Sequence, residues 1–102
     1  MNRRFRYALL PTLALVVAGI AGSAGANDLR GALLAGNCYG CHGPNGDSQG
    51  GIPSLSGLDA DQIAETMLAF RSGTRESTVM QRQASGYSED EIASIAQHIA
   101  QH

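Results

Sequence analysis

The sequence is short of the residues that usually build a large core or bind nucleic acid. Its 102 residues include no tryptophan, three tyrosines and two phenylalanines. It has no lysine, and its seven arginines are outnumbered by nine acidic residues. Nucleic-acid-binding domains carry a basic face or stripe. The composition therefore argues against that function and predicts a thin hydrophobic core.

The N-terminus has the pattern of a secretory signal. A basic stretch, residues 1–7, precedes an uncharged apolar run over 8–20, and an A-x-A processing motif ends at Ala26. We predict a signal peptide over residues 1–26, cleaved before Asn27, and an exported, periplasmic protein. The alternative is an uncleaved membrane anchor, because the uncharged segment approaches the length of a bilayer span.

Cleavage would leave a single domain, residues 27–102, with four arginines, nine acidic residues and a formal charge of −5. A chain of this size buries only about 60% of its unfolded surface and is marginally stable without a disulfide, metal or cofactor. Three aromatic residues would remain: Tyr39, Phe70 and Tyr87. We therefore expect a bound apolar group to complete the core, and the chain without it to fold poorly.

Both cysteines lie in one motif, C-Y-G-C-H over residues 38–42. C-x-x-C-H is the attachment signature of c-type haem. Residues three apart on a helical turn share a face, so Cys38 and Cys41 can bond the two vinyl groups while His42 ligates the iron. The alternatives are a thioredoxin-type dithiol, which requires a βαβ context absent here, half of a zinc site, and a disulfide. We predict one covalent haem c.

Capping residues and apolar periodicity predict helices and no strand. The three helices are expected over residues 28–37, over 59–72 and from 88 onward, capped by Asp28, Asp59 and Ser88. Small residues on the last helix would let it cross the first near Gly31 or Gly36. The predicted fold class is all-α, with three to four short helices packed around one haem.

The segment after His42, residues 43–57, is rich in glycine and contains Pro44 and Pro53. It is expected to be a loop that wraps the porphyrin edge. The Pro53 carbonyl can accept a hydrogen bond from the second ring nitrogen of His42 and so fix its tautomer. The alternative is that Pro53 only shapes a turn.

A second axial ligand has four candidates, which are Met67, Met80, His98 and His102. Met67 lies in the apolar stripe of a helix, where methionine usually fills core space. His98 is expected on the outer side of the last helix, and His102 in solvent. Met80 lies in a predicted loop, residues 73–87, long enough to cross the distal face. We predict Met80, with the other three side chains or an open site as alternatives.

These features resemble class I cytochrome c across residues 27–102. The motif C-H-G-P-N-G (41–46) is similar to cytochrome c4-type domains, and F-R-S-G (70–73), S-T-V-M (77–80) and G-Y-S (86–88) resemble the haem subunit of flavocytochrome c sulfide dehydrogenase. The resemblance implies that Met80 is the distal ligand and that a separate FAD flavoprotein, which oxidises sulfide, delivers electrons to the haem. Some members of that family carry two haem domains, whereas this chain has one motif.

We therefore expect an electron-transfer subunit of a sulfide dehydrogenase, with no catalytic residues of its own. The alternatives are a free-standing soluble carrier between redox complexes and a haem enzyme or gas sensor with an open distal position. Arg71, Arg75 and Arg82 flank the Met80 loop, and at least one of them is expected at the contact with the partner. The alternative is that all three are solvated surface charges.

Overall fold

The computed structural model describes residues 23–102, and every regular element in that range is helical. The elements are α1 (Ser23–His42), a 3₁₀ turn (Pro44–Gly46), α2 (Ala60–Ser72), α3 (Met80–Ala84) and α4 (Glu89–Gln101). Most of the predicted signal peptide lies outside the described residues. Within them, no helix combines the length and apolar character that crossing a membrane requires.

Helix α1 is longer than the sequence predicted. Asp28 was expected to cap it and Asn37 to end it, yet the helix covers Ser23–His42 and contains the whole C-x-x-C-H motif. The predicted end is wrong because Gly36 does not stop the helix. An interior glycine costs only about 1 kcal/mol relative to alanine, which tertiary packing of the helix can offset. The two cysteines and the histidine therefore have helical geometry.

Helices α2 and α4 begin at the predicted capping boxes. The Asp59 side chain accepts a hydrogen bond from the Gln62 N–H at 2.8 Å, and the Gln62 side chain accepts one from the Asp59 N–H at 3.0 Å. Ser88 and Glu91 exchange the same pair of bonds at 3.2 and 3.0 Å. The hydrogen bond from the Ser88 backbone holds the pKa of Glu91 below its usual range. Helix α2 ends at Gly73 with a φ of 80°, a left-handed conformation that glycine adopts without strain.

Helices α1 and α4 cross at Gly31. A Cβ added there would lie 2.6 Å from the Ser94 carbonyl oxygen and 3.3 Å from the His98 Cβ, whereas one added at Gly36 would meet nothing within 4 Å. Of the alanines of α4, which are Ala93, Ala96 and Ala100, only Ala96 is buried. The absence of a side chain at Gly31 is therefore what allows the two backbones to approach.

The predicted position of His98, on the outer side of α4, is wrong. His98 is half-buried and lies four residues after Ser94, on the face of α4 that meets Gly31. His102 is exposed, as expected. The apolar stripe of α4 alone could not reveal that a glycine on another helix makes room beside it.

The buried core in the described residues is small. Its members are Ala35, Ile63, Met67, Ala84, Ile92, Ile95, Ala96 and Ile99, and the largest side chains that are fully buried are Ile92 and Ile95. Tyr39, Phe70 and Tyr87 are only partly buried and pack against this cluster. The core is as thin as the composition predicted, and Met67 is part of it.

Candidate haem site

The C-x-x-C-H motif occupies the last turns of α1. Cys38 is half-buried against the core cluster, and this burial raises the pKa of its thiol. Cys41 is exposed and His42 is half-buried. The three-residue spacing places the two thiols on one side of the helix. Two thioether bonds to one ligand on that side are therefore geometrically compatible with the helix.

His42 has a defined tautomer. Its Nδ1 lies 2.6 Å from the Pro53 carbonyl oxygen. Because a carbonyl oxygen can only accept, Nδ1 must carry the proton and donate it. The Nε2 lone pair is then free for a metal, which is the usual arrangement of a metal-binding histidine. The structure thus brings together the two residues that the sequence paired.

Backbone hydrogen bonds close the loop that carries Pro53. Gly43 turns the chain away from α1 with a φ of 90°, and a Cβ there would collide with the backbone of Asp47. The buried Gly46 then accepts hydrogen bonds from the Leu55 N–H at 2.7 Å and the Ser56 N–H at 3.1 Å. These bonds join the two ends of the loop and hold the Pro53 carbonyl near His42.

The closing role of Gly46 and Leu55 was missed by sequence reasoning. The available signal was the short spacing of the glycines at 43 and 46, both of which have positive φ. Nothing in the sequence pointed to Leu55 as the partner, because backbone hydrogen bonds do not depend on side-chain type.

A cavity of about 320 Å³ lies between the motif and the loop. Its lining includes Tyr39, Cys41, Pro44 and Ile52. The cavity separates the loop from α1 at Cys41. The exposed Cys41 thiol is therefore accessible for thioether formation.

Met80 is the first residue of α3, and it is half-buried and packs against the core cluster. The predicted irregular loop over residues 73–87 is thus interrupted by a five-residue helix. A hydrogen bond of 2.9 Å from the Gln81 N–H to the Ser77 side chain supports the start of this helix. Met67 lies within α2 and is 8% exposed.

Several large apolar side chains around these segments are exposed. Ile52 is 44%, Leu58 38% and Val79 58% exposed. The two thiols, the imidazole of fixed tautomer and the Met80 thioether are the donor types that hold a c-type haem. When bound, haem iron supplies a one-electron exchange between its ferric and ferrous states.

Comparison with known proteins assigns the chain to a family. The family model for cytochrome c matches residues 29–102. The chain belongs to the cytochrome c family. This confirms the predicted all-α class I fold, the covalently bound haem c and a function in electron transfer.

The cytochrome is similar to several characterised relatives. It is 44% identical over 69 residues to the cytochrome subunit of sulfide dehydrogenase from Chlorobaculum tepidum. This alignment covers 68% of this chain and 63% of the relative. It is 32% identical over 79 residues to cytochrome c-554(547) from Halothiobacillus neapolitanus, covering 67% of this chain and 87% of the relative. Cytochrome c4 from Pseudomonas aeruginosa is 37% identical over 68 residues, covering 61% of this chain and 34% of the relative.

The predicted resemblance to sulfide dehydrogenase subunits and c4-type domains is therefore confirmed. The chain spans somewhat less than two thirds of the length of the sulfide dehydrogenase subunit that it matches.

Proposed function

We propose that this cytochrome is the electron-accepting haem subunit of a sulfide dehydrogenase and receives electrons from an FAD flavoprotein in the periplasm. The observation that carries the proposal is the 44% identity to the cytochrome subunit of sulfide dehydrogenase from Chlorobaculum tepidum. The proposal includes cleavage of the signal peptide, residues 1–26, during export.

The proposed roles of the site residues rest on the C-x-x-C-H motif, on the resemblance and on the contact between His42 and Pro53. Cys38 and Cys41 would attach the haem, His42 and Met80 would ligate its iron, and Pro53 orients His42 through the 2.6 Å hydrogen bond to Nδ1. Ligation by an imidazole and a thioether would raise the reduction potential and leave no position for oxygen or peroxide. Such a site transfers electrons and does not activate a substrate.

The surface around the site supports a stable contact with a partner. Ile52 is apolar and exposed and lines one cavity with the exposed Cys41 and Pro44. Val79, which is also apolar and exposed, is next to Met80 in the sequence. Permanent interfaces are large and apolar, whereas brief redox encounters are small and polar. Exposed apolar side chains next to the proposed haem-binding residues therefore favour a permanent subunit.

The three arginines near the Met80 segment differ in their availability to a partner. Arg71 donates from Nη1 to the Tyr87 carbonyl at 3.2 Å, which links α2 to the segment before α4. Arg75 lies over the Phe70 ring, with its guanidinium carbon 5.2 Å from the ring centre. Arg82 is exposed in the last turn of α3. We propose Arg82 as the arginine that meets partner carboxylates.

Gel filtration of the protein from its native source tests the subunit role. We expect haem and flavin absorbance to coelute at low and at high salt, because an apolar interface is little screened by ions. Elution as a lone haem monomer under both conditions would contradict the proposal.

Two serine substitutions locate the interface. Val79→Ser removes an exposed apolar side chain next to Met80, and Leu29→Ser removes one from α1 that is 62% exposed. We expect only Val79→Ser to weaken the complex, with an unchanged haem spectrum in both variants. If both variants weakened the complex equally, an interface next to Met80 would be contradicted.

A free-standing soluble carrier is the second candidate. It is favoured by the alignment with cytochrome c-554(547), which covers 87% of that relative. Elution as a monomer that binds redox proteins only at low salt would support this second function.

A further inference from the structure

Two histidines that the haem site does not use lie together at the end of α4. His98 and His102 are four residues apart, so both project from one side of the helix. Their ring centres are 4.3 Å apart, and the ring planes differ by 20°. The spacing H-x-x-x-H on a helix is the one with which paired histidines bind zinc.

The tautomer of His102 suits metal binding. Its Nδ1 lies 2.9 Å from the His98 carbonyl oxygen. Since that oxygen can only accept, Nδ1 carries the proton and Nε2 keeps its lone pair. The same arrangement fixes His42 at the haem motif through Pro53. The His98 backbone therefore orients His102 so that its Nε2 is free to bind a metal.

The environment of the pair favours a cation. Both rings line a cavity of about 260 Å³ between α1 and α4, which Asp28 also lines. The carbonyl end of a helix carries partial negative charge, which attracts cations. In residues 23–102, no group of three or more His, Cys, Asp or Glu side chains is close enough to hold a metal together. The pair is thus a two-ligand site, with room for water on the remaining positions.

We propose that His98 and His102 form a binding site for a divalent transition-metal ion such as Zn²⁺, at the end of α4 and separate from the haem. With Zn–N bonds of about 2.0–2.1 Å in a tetrahedral site, the two nitrogens lie about 3.3 Å apart. The rings are stacked with their centres 4.3 Å apart, so binding requires side-chain rotations that turn both ligand nitrogens toward one ion. The ion would lie beside the α1–α4 crossing and stabilise it.

The holoprotein is suited to this test, because the haem uses both cysteines and one of the three histidines of the chain. His98 and His102 are then the remaining histidines. Calorimetric titration of untagged holoprotein with Zn²⁺ at about pH 7.5 measures the affinity and the stoichiometry. We expect one Zn²⁺ per chain. His102→Gln should weaken binding at least tenfold. Gln101→Ala, at an exposed neighbour that lines the same cavity, should bind as the unmodified protein does.

A second measurement separates the site from nonspecific binding. An ion that binds only the folded arrangement raises the melting temperature. We expect Zn²⁺ to raise it for the unmodified protein and for Gln101→Ala, and not for His102→Gln. His102 is exposed, so its substitution leaves the fold intact. Absence of Zn²⁺ binding, or equal affinity in His102→Gln and the unmodified protein, would overturn the proposal. Neither outcome bears on the flavoprotein partner.

Discussion

His42 and Met80 differ in how firmly the fold holds them. His42 ends a helix of 20 residues and is tied to Pro53. Met80 begins a helix of five residues, and segments this short depend on tertiary contacts. The proposed ligand pair therefore joins a rigid donor to one whose position depends on the packing of α3.

Replacing Met80 with alanine should open the iron to added ligands such as imidazole and lower the reduction potential. The reason is that a thioether ligand stabilises the ferrous state and occupies the distal position. The ferric absorption spectrum measures this directly, because the sulfur-to-iron charge-transfer band should disappear. Potentiometric titration would measure the fall in potential.

Met67→Ala is the matched control, since it removes the same side chain from the core. Met67 is 8% exposed, and truncation of a buried methionine costs about 2–5 kcal/mol of unfolding free energy. Denaturant unfolding should show that loss while the charge-transfer band remains. A band that survives Met80→Ala and disappears in Met67→Ala would reverse the assignment.

At the level of the helices, two of the glycines of α1, Gly31 and Gly36, have opposite environments. We predict that Gly31→Ala destabilises the protein by about 1–3 kcal/mol, because its Cβ would overlap the α4 backbone. Gly36→Ala should stabilise it by about 0.5–1 kcal/mol, because alanine favours the helix and meets no atom there. Thermal unfolding of both holoproteins checks this. Equal shifts in the same direction would contradict the crossing at Gly31.

The starts of α2 and α4 could be predicted from the sequence, whereas α1 and α3 could not be bounded. Asp59 and Ser88 satisfy exposed N–H groups locally, so their residue types carry the signal. Helix α1 passes through Gly36 because packing offsets the local cost. Helix α3 is too short for a periodic signal, and its buried Ala84 is identified only by the neighbours that cover it.

The haem motif could be predicted from the sequence for a similar reason. The chemistry of attachment requires Cys38, Cys41 and His42 at fixed spacing. The contact between His42 and Pro53 was anticipated from residue chemistry, while the Gly46–Leu55 closure that positions it depends on backbone geometry. The site residues could thus be predicted from side-chain chemistry, whereas the loop conformation that positions them could not.

For the whole molecule, we expect folding to depend on the cofactor. Three of the eight buried core residues within 23–102 are alanines, so few large side chains offset the conformational entropy of folding. We predict that Cys38→Ala combined with Cys41→Ala yields a largely unfolded chain without haem. Far-ultraviolet circular dichroism checks this, and native helix content in that variant would contradict it.

We propose that this cytochrome transfers electrons through an iron with no open position. Carbon monoxide added to the ferrous holoprotein provides the decisive test, because the gas binds ferrous haem wherever an axial position is free. We expect an unchanged ferrous spectrum at neutral pH in the unmodified protein and carbon monoxide binding in Met80→Ala. Ready binding by the unmodified protein would show an open distal site and rule out closed ligation by Met80.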